Sequence, residues 1–336
     1  MTKYRAAQAI STFAALLCFS VTTHAQSTAK PAASGGFPDK PIRVIVGNAP
    51  GGGSDIASRV VTEKLGERLG QAVIVDNRAG ANGVIAINAV AQSAPNGYTL
   101  LVVAGGDLSS LNAQKKLTYD VRAAFLPITQ LTSQYYLLLS SPSLPVASLK
   151  EVIDYAKARP GALSFGSAGV GSAGHAGLEL MKFQTGTNIV HVPYKGIAPA
   201  LADMIGGQLH LAFVSTISGA PHVTSGKLRA LAVTSLRRAK AYPDLPAVAE
   251  AGAPGFELTN WYGLFGPAGI PRPILDVLFQ QTTQVLNTPE IQSKFSSSGA
   301  DAAPSASPAE FAQALEREVT KWQNVMRLPG FAEGLQ

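Results

Sequence analysis

Ile42-Arg43-Val44-Ile45-Val46-Gly47-Asn48-Ala49-Pro50-Gly51-Gly52-Gly53-Ser54-Asp55-Ile56 decides how this chain is read. Ile42 to Val46 is a short run dominated by β-branched residues, the signature of a buried strand. A glycine-rich turn follows. Ile56, Val60, Val61, Leu65 and Leu69 then keep the spacing of one helix face. Strand, loop and helix in that order make one α/β unit. The pattern returns at once: Val73 to Val75 and Tyr98 to Val103 read as strands, with a helix from Val84 to Ala91 between them. Alternation of this kind predicts a mainly parallel sheet covered by helices.

A second α/β series follows. Strands are expected at Tyr136 to Ser140, Leu163 to Gly166, Ile189 to Val192, Leu209 to Val214 and Leu228 to Thr234. Helices are expected at Leu149 to Ala158, near His175 to Gln184, and at Ala198 to Ile205. Pro and Gly between Tyr242 and Gly255 mark a return crossing. Trp261 to Phe265 then reads as a strand, and Ile274 to Leu286, Pro289 to Ser296 and Pro308 to Met326 as helices. No sequence repeat of fixed period is present, which argues against a solenoid.

Outward from these units lie the ends and the composition. Lys3 and Arg5 precede an apolar, small-residue run from Ala6 to Val21, and Thr23-His24-Ala25 supplies the small residues of a cleavage site. Residues 1–25 are therefore expected to be a secretory signal peptide, too short and too early for a membrane span. A lipoprotein needs a small residue directly before its Cys, and Leu17 stands before Cys18. Residues 26–36 are Ser, Ala, Pro and Gly without apolar period, a flexible leader. Cleavage removes the single cysteine, so an exported chain without thiols must be held by packing. About 300 residues then remain, more than one core usually serves, which favours two lobes. Losing Lys3 and Arg5 lowers the formal net charge from +6 to +4. With no Lys/Arg block, nucleic acid is not an expected partner.

Between strand and helix, Asn48-Ala49-Pro50-Gly51-Gly52-Gly53-Ser54-Asp55 lets the backbone come close to a ligand, and the first N–H groups of the helix point at whatever sits there. An anion is favoured, by about 0.3 to 1 kcal/mol when exposed and up to about 2 when partly buried. A carboxylate needs no Arg in such a place. The same letters also fit a plain turn in which Ser54 or Asp55 caps the helix. A phosphate loop is excluded, because Gly-Ser-Asp stands where Gly-Lys-Ser/Thr is required and Asp55 would repel phosphate. Gly166-Ser167-Ala168-Gly169-Val170-Gly171-Ser172-Ala173-Gly174-His175 repeats the arrangement between another strand and helix. It has neither the dinucleotide spacing nor the Gly-x-Ser-x-Gly elbow of a serine hydrolase. His175, His191, His210 and His222 form no metal-ligand motif, and His175 with Glu179 one turn on is more simply a helix-start contact. No metal, no cofactor and no catalytic residue is expected.

In these motifs the chain resembles the substrate-binding proteins of tripartite tricarboxylate transporters, the Bug-type or TctC-like receptors. The resemblance runs from about Phe37 to the C-terminus. It rests on Pro38-Asp39-Lys40-Pro41-Ile42-Arg43, Pro50-Gly51-Gly52-Gly53-Ser54-Asp55, Val75-Asp76-Asn77-Arg78-Ala79-Gly80-Ala81-Asn82-Gly83 and Ala94-Pro95-Asn96-Gly97-Tyr98-Thr99-Leu100. It continues through Gly166 to His175, His191-Val192-Pro193-Tyr194-Lys195-Gly196, Leu228 to Ser235 and Trp261-Tyr262-Gly263.

The resemblance implies an α/β, type II periplasmic-binding-protein-like fold, two α/β lobes with a ligand cleft between them. Lobe 1 is expected from residues 37–134 plus 260–336 and lobe 2 from 135–259. It implies a periplasmic, monomeric, non-enzymatic protein that captures a small organic carboxylate and passes it to membrane permease subunits; presentation of the ligand to a signalling receptor is the alternative, and a periplasmic enzyme acting on a carboxylate the remote one. Carried over residue by residue, the ligand-binding set is Asn48, Ala49, Gly52, Gly53 and Asp55 from the first loop and Ser167, Ala168, Gly171, Ser172 and His175 from the second. Tyr194, Lys195, Gly196 and Trp261 are expected to flank the cleft. The chain departs from the family at Asn48, often aromatic, at Ile197, often Gly, and at His210 and Val214, often acids. An acid at position 214 tends to face the cleft in relatives, so Val214 implies a more apolar ligand.

Overall fold

The computed structural model describes residues 36–239 and 241–327. The expected signal peptide and all but the last residue of the leader lie outside the described residues. Strand β1 (Ile42–Val46) leads into helix α1 (Gly53–Leu69), β2 (Val73–Asn77), α2 (Val84–Ala91) and β3 (Thr99–Ala104). Then come α3 (Gly105–Ala113), α4 (Val121–Ala124), the long β4 (Phe125–Ser140), α5 (Leu149–Ala158), β5 (Ser164–Ser167) and α6 (Ala173–Thr185). The chain continues through β6 (Val190–Pro193), α7 (Ile197–Ile205), β7 (Leu211–Ser215), α8 (Thr216–Thr224) and β8 (Arg229–Val233). It ends with β9 (Thr259–Pro267), α9 (Arg272–Leu286), α10 (Pro289–Ser296), β10 (Asp301–Ala302) and α11 (Pro308–Val325).

Strand order along the main sheet path is β2-β1-β3-β9-β4-β7-β5-β6, with β8 and β10 also pairing with β4. β1 is parallel to β2 and β3, and β5 is parallel to β6 and β7, as the alternating units predict. β9 and β4 run antiparallel to their neighbours in the middle. β4 changes partner along its length. Phe125 to Tyr135 pair with β9, and Tyr136 to Ser140 pair with β7.

Each half of the sheet is packed on both faces. Ile42, Val44 and Val46 of β1 face one cluster with Val61 and Leu65 of α1, while Ile45 faces another with Ile87, Phe265 and Phe311. Around the second half, Leu138, Phe165, Leu211 and Phe213 fill one side, and Leu137, Leu139, Ala212 and Val214 the other. The period-two alternation of β-strands produces this division. Leu100, Phe165 and Leu178 are fully buried in the core. Tyr98 is half-buried, and its hydroxyl donates to Asp39 Oδ1 at 2.6 Å.

Candidate functional site

The first loop is folded back on itself by Asp55. Its Oδ2 accepts from Gly51 N at 2.9 Å, and its Oδ1 accepts from Arg59 Nε at 2.9 Å and from Asn77 Nδ2 at 3.0 Å. Asn77 Nδ2 also donates to Asn48 O at 3.0 Å, and Ser54 Oγ donates to Asn48 Oδ1 at 2.6 Å. Asp55 thus holds the loop and does not present its charge to a ligand. The N-cap of α1 is Gly52, which has no side chain to offer the helix start. Among the described residues, none accepts from the N–H groups of Gly53, Ser54 and Asp55. Ser54 and Asp55 are only 0% and 3% exposed. Three buried donors, carrying the positive end of a 17-residue helix, are left without a protein acceptor.

The second loop is better satisfied from within. Ser172 caps α6, its Oγ accepting from His175 N at 3.3 Å. Gly171 N donates to His175 Nδ1 at 3.0 Å, and Ser167 Oγ donates to Gly169 O at 3.0 Å and lies 2.6 Å from His191 Nε2. The His175 and His191 rings stack at 3.6 Å with 8° between their planes. Burial, and then the neighbouring His175 and Lys182, push His191 down to about 3, so it is a neutral hydrogen-bonding ring at ordinary pH. Ala173 N, at the first position of α6, donates to Asp107 Oδ1 at 2.9 Å.

Both loops open on one small cavity of ≈ 40 Å³. Asn48 and Gly53 line it from the first loop, and Ala168, Ser172, Gly174 and Ile197 from the second and its neighbour α7. The remaining wall is Ala104 and Asp107 around the start of α3, Tyr136 of β4, Phe213 and Ser215 of β7, and Tyr262 of β9. The fit is close at Gly53: a Cβ there would overlap the Tyr262 hydroxyl and approach Ser215 Oγ to 2.8 Å.

The structure gathers some of the sequence-predicted residues at the cavity and gives others a different place. Asn48, Gly53, Ala168 and Ser172 line it directly. Gly52, Asp55, Ser167, Gly171 and His175 shape the two loops behind it. Gly196, at the start of α7, stands close to the first loop, a Cβ on it lying 3.3 Å from Ala49 N. Tyr194 turns to Asp203, to which its hydroxyl donates at 2.7 Å, and Lys195 is exposed. Trp261 does not reach the cavity. Its ring packs edge-on to Phe311 at 5.3 Å and covers Gly105, while its neighbour Tyr262 points to the cavity as strand alternation requires. Val214 likewise faces away, among Leu137 and Leu139, so the ligand polarity inferred from that position has no basis in the geometry. Phe213 and Ser215 stand on the cavity side instead. His210 bonds Ser164 and lies outside the cavity lining.

Asp107, Tyr136, Ser215 and Tyr262 are cavity residues that sequence reasoning missed. Tyr136 and Tyr262 lie within the strands expected at Tyr136 to Ser140 and Trp261 to Phe265, and the period-two rule applied to Trp261-Tyr262 was the available signal. Desolvation pushes Asp107 up to about 6, offset in part by the Ala173 N–H. Desolvation also raises both tyrosines, Tyr262 to about 12, with Asp107 adding to the effect on each. Among the described residues no group of three or more His, Cys, Asp or Glu is arranged to hold a metal ion, and no helix is long and apolar enough to cross a membrane.

Residues 57–330 match the family model described as the tripartite tricarboxylate transporter family receptor. The chain belongs to this receptor family. The receptor is 34% identical to BugT of Bordetella pertussis over 304 residues, 90% of this chain and 93% of that protein. It is also similar to solved structures of the same architecture. One, described as a periplasmic transporter, is 36% identical with a TM-score of 0.84, covering 88% of this chain and 99% of the other. The Rpa4515 protein of R. palustris, solved with adipate, is 33% identical with a TM-score of 0.82, covering 87% and 97%. MatC of Rhodopseudomonas palustris, with bound malate, is 31% identical with a TM-score of 0.82, covering 87% and 100%. Proteins of this family are two-lobed periplasmic solute-binding receptors and not enzymes.

Proposed function

We propose that this receptor captures a small organic carboxylate in the periplasm and delivers it to the membrane subunits of a tripartite transporter. One observation carries the reading: Gly53, Ser54 and Asp55 hold three buried N–H groups without an acceptor among the described residues, at a helix start that lines the cavity through Gly53. A carboxylate oxygen meets the demand of such donors, and a charge-assisted hydrogen bond contributes about 1.5 to 3 kcal/mol. The adipate and malate found in two relatives support the ligand class.

In this reading Asn48, Gly53, Ala168 and Ser172 touch the ligand, and Asp55, Ser167 and His175 keep the loops in shape to do so. A cavity of ≈ 40 Å³ holds about three waters at roughly 10–15 Å³ each, less than a carboxylate with its carbon skeleton needs. Entry therefore requires the walls to part. The lobes that separate are residues 37–134 with 260–336, and 135–259, and the change of partner in β4 at Tyr135 and Tyr136 gives a natural hinge. Ligand contact with both loops shifts the open–closed balance, and the membrane subunits recognise the closed monomer. Export by a cleaved signal peptide over residues 1–25 brings the chain to that compartment.

The test is native mass spectrometry of the mature chain, then thermal-shift and calorimetric titration with mono-, di- and tricarboxylates and their amides. A carboxylate is expected to co-purify or raise Tm where its amide does not. Binding of a neutral or cationic solute in place of every acid would overturn the carboxylate reading.

A further inference from the structure

The cavity of a receptor read as binding anions contains an anion of its own. Asp107 stands in the first turn of α3, and the start of that helix has little room to move. Gly105 lies against the Trp261 ring, where any Cβ would overlap it, and a Cβ on Gly106 would stand 3.1 Å from the Ala173 methyl group. The Asp107 carboxylate is held by one hydrogen bond, Ala173 N to Oδ1 at 2.9 Å. Among the described residues no donor reaches Oδ2, and no cation pairs with the group. Beside it in the cavity wall are Tyr136, whose hydroxyl has no hydrogen-bond partner among the described residues, and Tyr262, whose hydroxyl donates to Ser215 Oγ at 3.3 Å.

Two carboxylates confined in so small a space repel unless something with a proton lies between them. The free N–H groups at the start of α1 take the ligand carboxylate, so the part of the ligand that meets Asp107 Oδ2 must donate. We propose that Asp107 is a specificity-determining residue that selects carboxylates carrying a hydroxyl or ammonium donor on their carbon skeleton. It disfavours acids whose second ionised carboxylate reaches it. This rests on the carboxylate reading of the cavity given above.

Calorimetric titration of the mature protein at pH 8 tests it with matched acids: propionate, lactate and alanine; butyrate, 3-hydroxybutyrate and 3-aminobutyrate; and succinate with malate. The hydroxy or amino member of at least one series is expected to bind tenfold or more tighter than its unsubstituted parent, and the better of the two names the donor. Asp107→Asn keeps an oxygen for Ala173 N but loses the charge. It is expected to abolish any preference for the ammonium and to raise succinate affinity at least tenfold, a gain that a merely structural role does not give. Equal affinities within every series of the wild-type protein would overturn the proposal without any variant, as would unchanged succinate affinity in a folded Asp107→Asn protein. If acids bind better than their amides but without donor preference, Asp107 selection alone fails. If no acid binds at all, the carboxylate reading fails with it.

Discussion

At the start of α1 the capping position is a glycine, and the donors of Gly53, Ser54 and Asp55 have no acceptor among the described residues; at the start of α6 it is Ser172, and most donors of that turn are already bonded within the protein. The two turns look alike as strand–glycine loop–helix units, yet they have different capacities. The first helix start can accept an anion without giving up an internal bond. The second offers Gly174 N, because Ala173 N is held by Asp107 and His175 N by Ser172. On the proposed reading, anion capture belongs chiefly to the first loop, while the second contributes shape, a cap and, through Ala173 N, the hold on Asp107 of α3.

The same substitution in both turns breaks or sustains this contrast with the largest effect. Gly53→Ala puts a methyl group onto the Tyr262 hydroxyl, whereas a Cβ on Gly174 meets only Phe213 O at 3.7 Å and Ser167 Cβ at 3.8 Å. Titration with the ligand found in the carboxylate screen is expected to show a loss of at least 100-fold for Gly53→Ala. Gly174→Ala should stay within about 1 kcal/mol of wild-type stability and retain binding. Equal losses in both variants would dissolve the asymmetry.

Asp107→Asn comes next. The folded-state value of about 6 lies above the usual 3.8, so the folded protein holds the extra proton between those values and stability falls as pH rises through them. Removing the charge should therefore stabilise the ligand-free protein at pH 8 by on the order of 3 kcal/mol, and change little at pH 3.5. Thermal unfolding at the two pH values reads this. His191 has the opposite sign: depressed to about 3, it costs stability as pH falls from about 6.5 toward 3. His191→Gln should flatten that limb of the unfolding profile, and an unchanged slope would remove the neutral-ring account of the second loop.

Smaller effects sharpen the picture. Ser172→Ala is expected to cost about 1 kcal/mol through the lost cap, while a glycine already caps α1 and no equivalent variant exists there. Trp261→Phe should lower Tm, through lost packing on Gly105 and Phe311, while leaving the wild-type ligand affinity within twofold. A large affinity loss at unchanged Tm would put Trp261 back in the cleft.

Much of the frame was legible in the letters because strands and helices here follow simple periods. β1, α1, α2, α5, α7 and α9 fall where their apolar spacing puts them. The first half of β4 was not legible, since Phe125 to Tyr135 contains Pro127, Thr and Gln and lies mostly against β9 in the middle of the sheet. α3 was missed because Gly105-Gly106-Asp107 and Ser109-Ser110 read as loop; the glycines are there to fit Trp261 and Ala173. α8 hides behind Pro221 within the helix, where the loss of one donor reads as a break.

The sequence by itself determined the α/β class, the strand–loop–helix turns, the absence of nucleotide and hydrolase signatures, and the family, because these depend on local periodicity and contiguous motifs. Only the tertiary structure decided which residues share the cavity. Asp107, Tyr136, Ser215 and Tyr262 come from four separate elements, and which face of a strand looks inward is set by its partners across the sheet. The same long-range packing turned Val214 and Trp261 away. It also fixed which helix-start donors are already bonded and which remain for an anion, a property of contacts between distant segments that no run of letters carries.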